Sequence, residues 1–178
     1  MSEALDVLRE EHRRILEVLD HFDRLCRAPE MPVGYIDEFL AFVEIFIDAN
    51  HHGKEERALF GTTDEHPWLS GFALLLSEQH TEGRLLVRAV RCARGRGDSG
   101  LPELKAFVAF LRDHIAREND AIFVTIGQAL DEESNRALVE RFAEIESEVI
   151  ARWKLAEPGE ERRSICDLRR WNALLARA

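Results

Sequence analysis

Two copies of one short pattern stand out in the chain: His51-His52-Gly-Lys-Glu55-Glu56-Arg-Ala-Leu-Phe60 and His114-Ile-Ala-Arg-Glu118-Asn-Asp-Ala-Ile-Phe123. Each is preceded by a lone histidine, His12 before the first and His80 before the second. In each copy a His and a Glu lie four residues apart, so on an α-helix both side chains leave the same face about one turn from each other. An imidazole nitrogen and a carboxylate oxygen then point at one spot, as they do in a metal site. The residues around the lone histidines also correspond, Glu11-His12 against Gln79-His80. The chain therefore reads as a duplicated unit, one helix bearing a His followed by one bearing His and Glu a turn apart.

Imidazole with carboxylate suits iron, manganese or zinc, and the lack of paired thiolates argues against structural zinc of the finger type. The expected metal set is His12, His51, Glu55, His80, His114 and Glu118, with Glu55 and Glu118, one from each repeat, bridging two cations. The competing reading of the same residues is a hydrogen-bonded polar seam that holds no ion. His52 and Glu56 are also four apart but lie about 100° further round the helix. The spacing from His51 to Phe60 equals that from His114 to Phe123, which favours His51 and Glu55 as the primary pair. His52 is then an additional candidate for the second metal or a residue behind the coordinating shell, and Glu56 reads as a solvated helix charge.

These side chains need helices to carry them. Apolar residues recur at spacings of three and four with no alternating stretches, so the chain is expected to be all-α. Pro/Gly-rich connections at Ala28-Pro-Glu-Met-Pro-Val-Gly34, Gly61-Thr-Thr-Asp-Glu-His-Pro67 and Gly95-Arg-Gly-Asp-Ser-Gly-Leu-Pro102 leave four long helices, over roughly residues 3–27, 35–60, 67–94 and 102–130, with Pro67 and Pro102 suited to first turns. At about 1.5 Å per residue, the climb from His12 to the end of helix one and the descent from the start of helix two to His51 nearly match, and the same holds for His80 and His114. The expected architecture is an antiparallel up-down-up-down four-helix bundle with the four histidines in one slab. Leu5, Leu8, His12, Ile15, Leu19 and Phe22 form one inward stripe, and Ala73, Leu76, His80, Gly83, Val87 and Val90 form its counterpart.

Residues 1–130 are expected to form the metal-binding bundle and residues 131–178 a C-terminal helical extension. Asp131 is placed to cap a fifth helix whose apolar stripe is Leu138, Phe142, Ile145, Val149 and Trp153. After Glu157-Pro-Gly159 a last amphipathic segment carries Ile165, Leu168, Trp171, Leu174 and Leu175, so these helices either dock on the bundle or join two copies as a homodimer.

Gly83 sits in a core slot one turn beyond His80, where a missing side chain leaves either room for a small ligand or a close helix contact. Arg84 is either a hydrogen-bond donor behind a bridging carboxylate or a solvated helix charge. His21, on the opposite side of helix one from His12, and His66, before Pro67, are expected at the surface. Cys26, Cys92 and Cys166 are widely separated and read as small apolar fillers.

With 34 acidic against 24 basic residues and a formal net charge of −10, the chain repels nucleic acid and anionic membranes and attracts cations. No apolar run nears the roughly 18 residues a membrane span needs, and the N-terminus lacks a basic and an apolar signal region, so a cytoplasmic location is expected.

The residues His12, His51-His52-x-x-Glu55-Glu56-x-x-Leu-Phe60, Glu78-Gln-His80-x-x-Gly83-Arg84 and His114-x-x-x-Glu118-x-x-x-Ile-Phe123 resemble the hemerythrin-like, or HHE cation-binding, family over about residues 5–130. The resemblance implies a non-haem centre of two iron ions that binds dioxygen, peroxide or nitric oxide, or handles iron itself. On this reading His12, His51, His80 and His114 are terminal ligands. The oxygen carriers of that family have a second His four residues after the third-helix His, where this chain has Arg84, and an Asp where it has Asn119. One metal then loses an imidazole unless His52 replaces it, which favours redox turnover over reversible carriage. Two functions follow as expectations: binding or reduction of a small diatomic or peroxide ligand, or a non-catalytic oxygen- or iron-sensing module.

Overall fold

A computed structural model describes residues 2–28, 30–64, 66–155, 165–167 and 169–176. The chain is all-α, and no strand occurs among these residues. The expected connection at Glu157-Pro-Gly159, together with Leu168, Pro29 and Glu65, lies outside the described residues. Its helices divide into two compact units, one formed by Met1–Leu59 with Asp131–Ala178 and the other by Phe60–Leu130.

In the first unit, α1 spans Glu3–Leu25. Ser2 caps it by accepting from the Leu5 N–H, and its hydroxyl donates to Asn135 Oδ1 at 2.6 Å. The second rod is not the uniform α-helix that its apolar spacing predicts. It runs as α2 (Tyr35–Phe42), a π-helical segment over Val43–His52 and α3 (Gly53–Arg57), before a 3-10 turn at Leu59–Asp64. The wider turn of a π segment brings successive residues closer in azimuth than α geometry does, and both His51 and His52 are buried at its end. α1 and this rod run antiparallel, with Phe22 against Phe39 at one end (centroids 5.2 Å) and His12 against His51 at the other (4.5 Å).

Asp131 caps α7 (Glu132–Trp153; α4, Ser70–Gly95, α5, Leu101–Arg117, and α6, Phe123–Ala129, belong to the second unit) by accepting from the Ser134 N–H at 2.8 Å, as expected. Leu138, Phe142, Ile145 and Val149 are buried, and α7 packs on α1 and on the rod over 35–57. In α8 (Arg169–Leu175), Trp171 stands edge-on to Phe42, with centroids 5.1 Å apart. Burying side chains of this size stabilises by about 1.5–3 kcal/mol each, so α7 and α8 belong to the unit's core. A homodimer built through them would have to use their remaining polar faces.

The second unit begins with two 3-10 turns, the later one at Pro67–Leu69, followed by α4 (Ser70–Gly95). Then come α5 (Leu101–Arg117), a π segment over Glu118–Ile122 and α6 (Phe123–Ala129). α4 and α5 form an antiparallel hairpin. Its turn requires Gly100, whose φ is +69° and where a Cβ would lie 3.2 Å from the Val90 carbonyl oxygen. Pro102 sits in the first turn of α5, where its missing N–H has no helical partner to lose.

Two expectations are corrected. His21 is buried, not at the surface, with its ring 5.7 Å from that of Tyr35 and Nδ1 within 3.4 Å of Arg24. Cys92 is exposed and fills no core position, whereas Cys166 is buried and Cys26 half-buried. His66 is half-buried beside Trp68. No helix among the described residues is long and apolar enough to cross a membrane.

Candidate metal centre

Each unit carries one copy of the repeated motif. In the first, α1 supplies His12, the end of the π segment supplies His51 and α3 supplies Glu55. One ligand atom from each of these three side chains lies within 4.8 Å of the others, and the residues are 1%, 1% and 0% exposed. His51 Nε2 is 3.9 Å from Glu55 Oε1. Nitrogen and oxygen donors at about 2.0–2.2 Å from an ion leave one another roughly 3–4.4 Å apart, and the His51–Glu55 separation falls within that range.

In the second unit, His80 from α4 and His114 from α5 have ring centroids 5.1 Å apart. Glu118 opens the π segment and places Oε1 3.3 Å from His114 Nε2. All three are buried. Phe60 stacks on His80 and Phe110 on His114, at centroid distances of 5.9 and 6.1 Å, so an aromatic wall limits the rotation of each imidazole. The equality of helix lengths around each pair, read from the sequence, is realised within each hairpin.

Both units hold the imidazole of the His-x-x-x-Glu pair in the same way. His51 Nδ1–H donates to Glu11 Oε2 at 2.9 Å, and His114 Nδ1–H donates to Gln79 Oε1 at 2.9 Å. A carboxylate can only accept, so the ring proton of His51 sits on Nδ1 and the Nε2 lone pair faces the Glu55 side. Amide oxygen does the same for His114. An imidazole held by its far nitrogen is the usual arrangement behind a metal-bound histidine.

Glu11 is itself held. Its Oε1 accepts from Asn50 Nδ2 at 2.7 Å and from the ammonium of Lys54, which also donates to Glu146 Oε2 at 2.8 Å. Lys54 is fully buried. Burial alone would push its ammonium down, but the carboxylates of Glu11 and Glu146 outweigh it and hold the group above the ordinary lysine value.

The additional candidates fall unevenly. His52 is buried, with Nδ1 3.7 Å from Asp48 Oδ1, and Glu56 is half-buried one position beyond Glu55. The space over Gly83 is taken by aromatic rings: a Cβ there would lie 3.3 Å from Phe110 Cε1 and 3.9 Å from Phe107 Cε2. The observed packing therefore fits the close-contact reading of this glycine, with no space for a ligand at that position. Arg84 is half-buried on α4.

Glu11, Asn50, Lys54, Gln79 and Glu146 are absent from the residues that the motif spacing selects. For two of them a signal existed, since Glu11 and Gln79 each immediately precede the lone His of their repeat. Lys54 and Glu146 carry no such mark, because a lysine beside two glutamates on a helix ordinarily reads as solvated.

Buried imidazole and carboxylate without thiolate form a borderline-to-hard donor set suited to a divalent transition metal, and in the first unit the ligand atoms of His12, His51 and Glu55 lie close enough together to share one. The family model for the hemerythrin HHE cation binding domain matches residues 3–126. No curated protein and no solved structure matches the chain.

Proposed function

The chain belongs to the hemerythrin HHE cation-binding family, and on that premise we propose that it is a non-haem di-iron protein that binds or reduces a small ligand: dioxygen, peroxide or nitric oxide. His12, His51, His80 and His114 act as terminal donors, Glu55 and Glu118 bridge the two irons, and His52 is the further imidazole where the oxygen carriers' pattern gives way to Arg84. Glu56 stays outside the set. Manganese or zinc suits the same donors, and elemental analysis separates them from iron.

The repeated Nδ1 contact carries this reading. The residue before each lone His ties back the ring of the His a helix away, so two imidazoles present Nε2 in a fixed tautomer. A polar seam that holds no ion has no need to fix the same nitrogen twice. When bound, the iron pair supplies electrons and an open coordination position for a small ligand. The chain supplies the rest: dry surroundings, two buried carboxylates, and imidazoles of His80 and His114 held against rotation by Phe60 and Phe110.

A sensing role is the second reading, favoured by the part-buried Lys54–Glu146 contact between the first copy of the motif and α7. Iron-loaded protein mixed with excess peroxide separates the two. Consumption of many equivalents per chain supports reduction, and a halt after about one per centre supports sensing, since occupancy of a site then shifts stability without turnover.

A further inference from the structure

We propose that Glu146 of α7, acting through Lys54 and Glu11, is a positioning residue for the metal held by His51, and that it ties the C-terminal helices to the occupancy of that position. The inference rests on the metal-binding reading above.

The path is continuous. The Ile165 backbone N–H donates to Glu146 Oε1 at 2.8 Å, Glu146 Oε2 accepts from Lys54 at 2.8 Å, and Lys54 donates to Glu11 Oε1. Glu11 Oε2 is thereby left to receive His51 Nδ1–H. A carboxylate with Asn50 and Lys54 on one oxygen has little rotational freedom, so the His51 ring inherits its orientation from α7. Two carboxylates and one ammonium also place a net negative charge behind His51, which strengthens the imidazole as a donor.

The second copy of the motif is built without this support. The residue facing His114 is the neutral Gln79. In the repeat, Arg117 occupies the position of Lys54 and Asp113 that of Asn50, and both are exposed. The two metal positions are therefore unequal: the one at His51 binds more tightly, fills first, and alone depends on Glu146.

Stepwise cobalt(II) titration of the metal-free full chain, followed by ligand-field absorption, tests this. Glu146→Gln is expected to weaken the first step about 10-fold, and Glu11→Gln by about 10- to 100-fold, the range for residues behind a metal ligand. The second step stays unchanged in both. Unaltered first steps, or equal losses at both steps as general loosening would give, overturn the proposal. Should either variant fail to fold, hydrogen exchange of the wild-type Ile165 amide decides: cobalt loading slows it if the path is real, and an unchanged rate overturns it. A wild-type chain that takes up no cobalt instead removes the metal-binding reading itself.

Discussion

His51 Nδ1 lies 2.9 Å from Glu11 Oε2, and Glu11 immediately precedes His12, the very ring that packs against His51. One short stretch of α1 thus supplies both a candidate donor and the group that aims its neighbour. The second unit repeats the device with Gln79, His80 and His114. Such reciprocity explains why the residue before the lone His keeps its size and acceptor chemistry between the two repeats while changing its charge.

The two copies should fail separately. His51→Ala and His114→Ala are each expected to lower bound iron from two to about one per chain, because each removes a donor from only one position. His21→Ala supplies the control: its ring is also buried, yet it lies against Tyr35, so the substitution should alter stability and leave iron content at two. Iron determination on the three purified variants checks this.

Chelation should soften the fold. A metal that binds only the folded chain contributes about 2.7 kcal/mol when present at about 100 times its Kd. For a chain of this length that corresponds to a Tm lower by roughly 5–10 °C after removal. Differential scanning calorimetry before and after dialysis against a chelator measures it, and an unchanged Tm would mark a metal-free polar seam.

How much of this was legible in the sequence follows the physics of each feature. The pairing of His12 with His51 and of His80 with His114 follows from helix rise and connection length, which are local quantities. Asp131 and Pro102 declare helix starts by the same local chemistry. The π segments at Val43–His52 and Glu118–Ile122 are not local: three-four apolar spacing looks alike on α and π turns, and packing decides between them. The burial of Lys54 and His21 also depends on partners distant in sequence, Glu146 on α7 and Tyr35 across a turn.

Gly83 offers a packing test. Phe110 is half-buried and its ring edge lies 3.3 Å from where an added Cβ would stand, so it has room to shift by the few tenths of an ångström that an alanine needs. Gly83→Ala should therefore be neutral or stabilise by up to about 1 kcal/mol through helix propensity. Gly83→Leu should destabilise by about 1–3 kcal/mol through overpacking. Urea denaturation of the two variants measures both, and equal losses would mean that the rings cannot yield.

The single tyrosine of the chain reports on the first unit. Burial pushes the Tyr35 phenol up, aided by nearby Cys26 and opposed by Arg24. Its folded value lies above the ordinary value of about 10. The stabilisation it reflects is thus fully present below pH about 10 and is lost as pH rises toward the folded value. Ultraviolet absorbance should show no tyrosinate until the alkaline unfolding transition, seen by circular dichroism, begins. Ionisation near pH 10 with helicity intact would place Tyr35 in solvent.

Two cations held by buried imidazoles and carboxylates are the centre on which the proposed function turns, and elemental analysis of protein purified without added metal tests their presence most directly. Two irons per chain are expected. A single zinc per chain, or no metal above background in folded protein, would contradict the di-iron centre.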